Sequence, residues 1–306
     1  GDLALMPTLQ EVELSREGLA TTYSHEREEV RPGYYSVVLD RSNIKAEMTA
    51  TARVAFHRYT FPRGSNNARI VIDLLNAVGD SRLESRIYKL DESTLAGFRI
   101  SHGWAGRQQL YFVIQFSKPI HHWLCDEQTS PYAQATFEVG PGESVMAKVA
   151  LSPTNEMNAR LNMAVELPGW DFNAVREQAL QAWDEELGRI QAKFRTERER
   201  RIFYTGMFHF LYAPAIWSDI NGDYMGADQR VRHNADFQNY TTWSLWDTYR
   251  AAHPLATLIG RDLLTDYAKT MLAIYHEQGE LPVWHLMSNE TYCMVGCPAV
   301  PVLADM

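Results

Sequence analysis

Two rhythms of apolar and polar residues divide the chain. Up to about residue 152, apolar positions come in short runs separated by turn residues. The runs are Tyr34–Leu39, Ile44–Thr51, Val54–Phe61, Arg69–Leu74, Thr94–Ile100, Gln109–Phe116 and Ser144–Leu151. They are rich in β-branched and aromatic residues, which suit a pleated, half-buried surface. Reversals are marked at Arg31-Pro32-Gly33, at 62–67, at Gly79-Asp80 and at Val139-Gly140-Pro141-Gly142. Gly and Pro supply the backbone angles that such turns need. Many short strands without intervening helices predict an antiparallel β-sandwich over 1–152.

Near residue 153 the period lengthens to that of a helix. Residues 155–165 carry apolar positions at helical spacing. Residues 171–194 repeat the pattern through Val175, Leu180, Trp183, Leu187 and Ile190. A third helix is expected from Thr196 to Tyr212. Thr196 followed three residues later by Glu199 forms a capping-box pattern. A polar stretch over 218–239 comes next. Two more helical stretches, Thr242–His253 and Asp262–Glu277, are separated by a break at Pro254. Helices in succession without strands describe a bundle or a toroid over 153–306.

Composition narrows this picture a little. At 306 residues, 45% hydrophobic and 22% charged, the chain has the length of two domains and the balance of a soluble globular protein. It has no apolar run of about 18 residues, so no membrane span is expected. A net charge of −9 argues against nucleic acid, whose phosphates attract basic surfaces. Eight Trp and 15 Tyr could fill a large core or offer flat faces to sugar rings, and composition does not choose. Three cysteines, Cys125, Cys293 and Cys297, do not describe a disulfide framework. Cys293 and Cys297 with His285 are too few for a structural zinc, and no metal ligand is nominated. Neither end of the chain reads as a frayed polar tail, which suggests an internal piece of a longer protein.

Three segments after residue 218 mix polar and aromatic residues between helices. In Tyr240–Arg250, Trp246, Asp247 and Arg250 have helical spacing. Asp and Arg can hydrogen-bond vicinal hydroxyls of a sugar while Trp stacks on its ring. The alternative is an ordinary Asp–Arg helix pair beside a core Trp. In Gly279–Leu286, Gly and Pro predict a rigid turn that delivers Trp284 and His285. In Met287–Gly296, Glu290 stands in a nearly uncharged stretch. Apolar neighbours disfavour a carboxylate anion, and a general acid must start protonated. The alternative is a first-turn helix Glu capped by Ser288 or Asn289.

These residues carry a resemblance. Ser-Leu-Trp-Asp-Thr-Tyr-Arg at 244–250 with His253-Pro254-Leu255, Gly-Glu-Leu-Pro-Val-Trp at 279–284, and Asn-Glu-Thr at 289–291 resemble the central motifs of glycoside hydrolase family 92. Pro32-Gly33-Tyr34-Tyr35-Ser36-Val37, Phe56-His57-Arg58-Tyr59-Thr60-Phe61-Pro62 and Ser101-His102-Gly103-Trp104 resemble its sandwich domain in order, as does Pro168-Gly169-Trp170-Asp171. The resemblance implies a β-sandwich joined to an (α/α)₆ barrel, incomplete in this chain. It implies a secreted, periplasmic or cell-surface exo-α-mannosidase of bacterial type. Such an enzyme removes terminal mannose from N-glycans and other mannose-containing glycans with inversion, assisted by calcium. By the same resemblance Glu290 is the general acid, and Trp246, Asp247, Arg250 and Trp284 contact the sugar. The general base and most calcium ligands are expected beyond Met306, so the chain alone is expected to be inactive. One departure is Cys297-Pro298, where the family has an aromatic–His pair. The rival of another class is a non-catalytic carbohydrate-binding protein of the same fold. A disaccharide phosphorylase is a second rival, but no basic phosphate site is visible over 240–300.

Overall fold

The computed structural model describes residues 2–64, 67–125 and 131–306. Gly1, and Ser65 and Asn66 of the expected turn, lie outside the described residues. The chain forms two compact units. The first comprises the N-terminal stretch through His102 together with Gln109–Leu180, and the second comprises Gly103–Gln108 together with Gln181–Met306.

The first unit begins with β1 (Ala4–Thr8), the single turn α1 (Arg16–Leu19), β2 (Tyr23–Arg31) and β3 (Tyr34–Leu39). It continues through β4 (Lys45–Ala50), β5 (Val54–Thr60), β6 (Asn67–Asp73), β7 (Ser81–Lys89) and β8 (Thr94–His102). The last strands are β9 (Gln108–Phe116), β10 (His122–Leu124), β11 (Tyr132–Glu138) and β12 (Ser144–Ser152). A four-stranded sheet has the order β1-β6-β11-β10, and an eight-stranded sheet the order β2-β3-β4-β5-β12-β9-β8-β7. Pairs such as β3 with β4 and β5 with β12 run antiparallel.

The central strands are buried on both faces. Along β12, Val145, Ala147 and Val149 join a core with Ile70, Ile72, Ala135 and Phe137 of the smaller sheet. Ala150, on the opposite face, packs with Phe56, Ala159, Met163 and Phe172. The last three belong to α2 (Glu156–Glu166) and α3 (Phe172–Leu187). The layers are therefore sheet, sheet and helix. Each large side chain taken out of water here contributes about 1.5–3 kcal/mol. Strands β2 and β7 lay outside the apolar runs of the sequence because they are edges. Their many charged side chains discourage another strand from pairing with them.

Ions inside this unit are met by partners. Glu47 receives the Arg58 guanidinium at 2.8 and 2.9 Å and the Tyr34 hydroxyl at 2.8 Å. Burial alone would push its carboxyl up, but Arg58, Tyr34 and Lys45 outweigh it and hold the group down at about 2. Lys148 is buried and donates to the carbonyls of Leu167 at 2.8 Å and Pro168 at 3.3 Å, its ammonium 4.1 Å from the centre of the Trp170 ring. Gly33 has a φ of 79°, and a Cβ there would lie 3.0 Å from the Ala179 backbone, so the predicted turn tolerates only glycine.

In the second unit, α3 stops at Leu187 instead of reaching 194. Gly188 closes its last turn through a hydrogen bond to the Asp184 carbonyl. Helix α4 (Glu197–Tyr212) starts at the expected capping box, with Glu199 N donating to Thr196 Oγ1 at 3.1 Å. The polar stretch folds into short strands: β13 (Ala215–Ile216), β14 (Tyr224–Met225), β15 (Val231–Arg232) and β16 (Tyr240–Thr241). The helix expected over 242–253 does not form. That segment is β17 (Trp243–Ser244), the single turn α5 (Leu245–Thr248), and the start of α6 (Ala252–Ile259). Pro254 does not break a helix. It is the third residue of α6, where a backbone N–H has no intrahelical partner to lose. Helix α7 (Arg261–Gln278) ends on left-handed Gly279, whose N–H returns to the Tyr275 carbonyl at 2.8 Å. Strands β18 (Trp284–Leu286) and β19 (Asn289–Glu290) and helix α8 (Ala299–Asp305) complete the described elements.

Candidate functional site

Strands β17, β18 and β19 form a three-stranded antiparallel sheet with β18 in the middle. Its register sets Ser244 opposite Trp284, Trp243 opposite His285, and His285 opposite Glu290. Pairing thus gathers segments that the sequence keeps about 40 residues apart. With about 4.8 Å between neighbouring strands, β17 and β19 run roughly 10 Å apart.

The hairpin between β18 and β19 turns through Met287 and Ser288 alone, with φ of 45° and 64°. Positive φ at both positions is the geometry of a type I′ turn, which normally selects Asn and Gly. Here the strain is outweighed by outside partners. Met287 N donates to Thr241 Oγ1 at 2.6 Å, and Gln229 Nε2 to the Ser288 carbonyl at 2.8 Å. Ser288 Oγ donates to the Met225 carbonyl at 2.6 Å and accepts from Trp217 Nε1 at 2.8 Å. The polar stretch over 218–239, with Trp217 and Thr241 beside it, works as a mould for this hairpin.

Glu290 sits in a strand, not in a first helical turn, so the expected Ser288 or Asn289 cap is absent. Its setting is also not the apolar one that the sequence suggested. Val283 N donates to Oε2 at 2.9 Å, while Trp284 N and Thr291 N donate to Oε1 at 3.0 and 3.1 Å. The neighbours are apolar in side chain, but their backbone amides face the carboxyl. Side-chain type could not reveal that.

Asp247 lies on α5 and is exposed. It does not pair with Arg250; it accepts a hydrogen bond from Ser244 Oγ. Arg250, also exposed, donates to the Tyr249 hydroxyl at 2.6 Å. Trp246 keeps 40% of its surface in contact with solvent. Trp284 is the hub of the arrangement. Its strand partner is Ser244, its N–H reaches Glu290, and its carbonyl accepts from Thr291 Oγ1 at 2.9 Å. Its ring meets Trp104 at 4.6 Å between centroids.

Two buried histidines belong to this region, His285 on β18 itself and His253 on α6. His285 is 3% exposed, and neither ring nitrogen has a hydrogen-bond partner. Burial pushes its imidazole down to about 3. His253 stacks on Trp243 at 6.1 Å, and burial lowers it too, against an opposing contribution from the Thr248 backbone. Among the described residues, no three His, Cys, Asp or Glu side chains gather as a metal site would require. Nor is any described helix long and apolar enough to cross a membrane.

Residues 1–152 match the model of the glycosyl hydrolase family 92 N-terminal domain, and residues 158–306 match that of the family 92 catalytic domain. The structure of the family GH92 alpha-mannosidase BT3965 from Bacteroides thetaiotaomicron is 34% identical with a TM-score of 0.93, over 100% of this chain and 45% of that one. The family GH92 inverting mannosidase BT2199 from Bacteroides thetaiotaomicron VPI-5482 is 26% identical with a TM-score of 0.87, over 98% and 42%. An uncharacterized secreted glycosidase of Arthroderma benhamiae is 27% identical over 100% of this chain and 40% of its own length. The chain thus spans less than half the length of each of these relatives.

Proposed function

From a chain that belongs to glycosyl hydrolase family 92, we propose an exo-acting α-mannosidase that releases terminal α-mannosyl residues from glycans with inversion. The observation that carries the reading is the three-stranded sheet, which brings Trp284, Glu290 and the Ser244–Asp247 pair together. It is supported by the likeness to BT3965, whose structure is also known in complex with mannoimidazole, and to the inverting BT2199. In this reading the helices of the second unit belong to an (α/α)₆ barrel, with the sandwich over 1–152 and the barrel from 153 on. Secretion rests on the secreted glycosidase among the relatives.

The chemistry assigns each residue a task. Ser244 Oγ occupies one oxygen of Asp247 and leaves the other to accept from vicinal mannose hydroxyls. Trp246 and Trp284 offer ring faces to the sugar C–H groups, and Arg250 lies one turn away to donate to a further hydroxyl. Glu290 is the proposed acid. Oε1 takes two N–H bonds and Oε2 only one, so Oε2 is the oxygen left to carry a proton. As the C1–O bond breaks, its electron pair goes to the leaving oxygen, which takes that proton. Water adds to C1 from the opposite face and gives its proton to a base. Inversion needs that base about 6.5–9.5 Å from the acid. The base is assigned to no residue of this chain, and no step is routed through calcium.

A second reading of Glu290 is favoured by its three backbone N–H donors: the carboxylate braces the hairpin and orients Trp284. Glu290→Gln separates the two in the protein at its full natural length. With Glu290 as the proton donor, the substitution should lower kcat on mannobiosides by about 10²–10⁴-fold, with a much smaller loss on aryl mannosides that have good leaving groups. Equal losses on both substrates would establish the brace. A wild-type protein that binds mannosides but hydrolyses none would instead support the non-catalytic carbohydrate-binding alternative.

A further inference from the structure

Gly103–Gln108, the loop after β8 together with the first residue of β9, belongs to the second unit. Ala105 is completely buried, while Trp104 beside it is 53% exposed. The loop is gripped by one side chain. Asn289 Oδ1 accepts from Arg107 N at 3.0 Å, and Asn289 Nδ2 donates to the Arg107 carbonyl at 2.7 Å. This two-bond grip copies the pairing of a neighbouring strand. The side chain that makes it belongs to the residue next to Glu290. Trp104 meets Trp284 with its plane tilted by 45°, so the two indoles form a corner rather than a stack.

A large apolar ring left half in water forfeits burial energy. Here the loop is nonetheless fastened, and the fastening runs through the hairpin that carries the candidate acid. An exposed, immobilised indole beside a second indole suits a ligand with flat C–H faces and a polar rim, which is the chemistry of a pyranose. We propose that Trp104 is a specificity-determining residue that stacks on the sugar ring on the leaving-group side of the terminal mannose, and that Asn289 positions it. The inference rests on the mannosidase reading. It adds that this site selects a glycan over a simple mannoside.

The test compares methyl α-mannoside, which has no second ring, with α-1,2-, α-1,3- and α-1,6-mannobiose, using the full-length protein. For Trp104→Ala, kcat/KM on at least one mannobiose should fall about tenfold through KM, as loss of one aromatic contact predicts. The value on methyl α-mannoside should change less than about twofold, since that substrate has no ring for the indole to meet. Trp104→Phe should recover most of the loss, and it also guards against misfolding in the alanine variant. Equal losses on all four substrates, or no loss on any, would overturn the inference and leave the mannosidase reading standing. Wild-type protein inactive on all four would remove that reading, and this inference with it.

Discussion

Glu47 in the sandwich unit and His285 in the helical unit are both almost fully buried, at 4% and 3% exposure. Glu47 is met by a bidentate arginine, a tyrosine hydroxyl and a lysine. His285 is met by nothing at either ring nitrogen. Backbone strain divides the same way. Of the seven described non-glycine residues with positive φ, only Asn43 lies in the sandwich unit, while the other six include Met287, Ser288 and Tyr292 around the candidate site. In backbone angles the sandwich keeps to its local rules, although Arg82 Nε, Arg99 Nη2 and Trp123 Nε1 are buried there without a hydrogen-bond partner among the described residues. The helical unit breaks those rules near Glu290 and compensates through a mould of hydrogen bonds. Proteins accept such violations where a site needs a fixed geometry that ordinary packing would not give.

The largest expected effect lies in the sandwich unit. Glu47→Ala strands the Arg58 guanidinium and should cost the sandwich about 3–5 kcal/mol, read by urea unfolding with hydrogen exchange to resolve the units. A cost below about 1 kcal/mol would place the pair among ion pairs of negligible worth, and the contrast would collapse.

Acid should act on His285 and on the Glu47 network at different points. In the unfolded chain His285 titrates near its ordinary value of 6.5, and in the fold only near 3. Below pH 6.5 the unfolded state therefore holds more protons, and stability falls with pH. At about pH 5 the loss from this one residue is about 2 kcal/mol. Glu47 shifts in the same direction, its carboxyl lowered from 4.5 to about 2 by its partners, so the unfolded state again holds more protons, but only once pH drops towards 4.5. Between these limits His285 weakens the helical unit and His57, lowered by burial to about 4, weakens the sandwich, while the Glu47 network holds. His285→Leu should remove most of the helical unit's slope, leaving a remainder from His253. A slope unchanged by the substitution would show that His285 is not its source.

The smallest effect concerns strain. Tyr292 is 74% exposed and has a φ of 52°. Tyr292→Gly should stabilise the helical unit by about 0.5–1 kcal/mol in thermal melts, since glycine adopts that conformation freely. A loss of stability would mean that the tyrosine ring contributes contacts which outweigh its backbone.

These contrasts also explain what the sequence disclosed. The inner strands β3 to β6, β8, β9 and β12 were legible through their short runs of apolar and β-branched residues bounded by turn residues. Edge strands β2 and β7 were hidden by their charges, and β11 by its small residues. The capping box at Thr196 and the turn at Gly33 were local, and local signals survive without tertiary context. The second unit was harder. Residues 242–253 have helical spacing, yet Trp243 and Ser244 pair with a strand about 40 residues later. Met287-Ser288 carries none of the residues that announce a two-residue turn, because distant partners impose it. Glu290 and Trp284 were found through motif resemblance. Their neighbours Ser244, Asn289 and Trp104 were not nominated for the site, because they join it through hydrogen bonds and ring contacts that sequence spacing does not encode. The signals available for Trp104 were its place in the Ser101–Trp104 motif and its position after a glycine at an interruption between two apolar strands.

Lys148 has a consequence of another kind. Its amine lies against the Trp170 ring and is spoken for by the carbonyls of Leu167 and Pro168, where the chain leaves α2. An acylating reagent therefore finds the solvent-facing lysines and misses this one until β12 parts from the segment after α2. The chain thus carries a natural chemical clock, a nucleophile whose rate of modification counts the openings of that single seam.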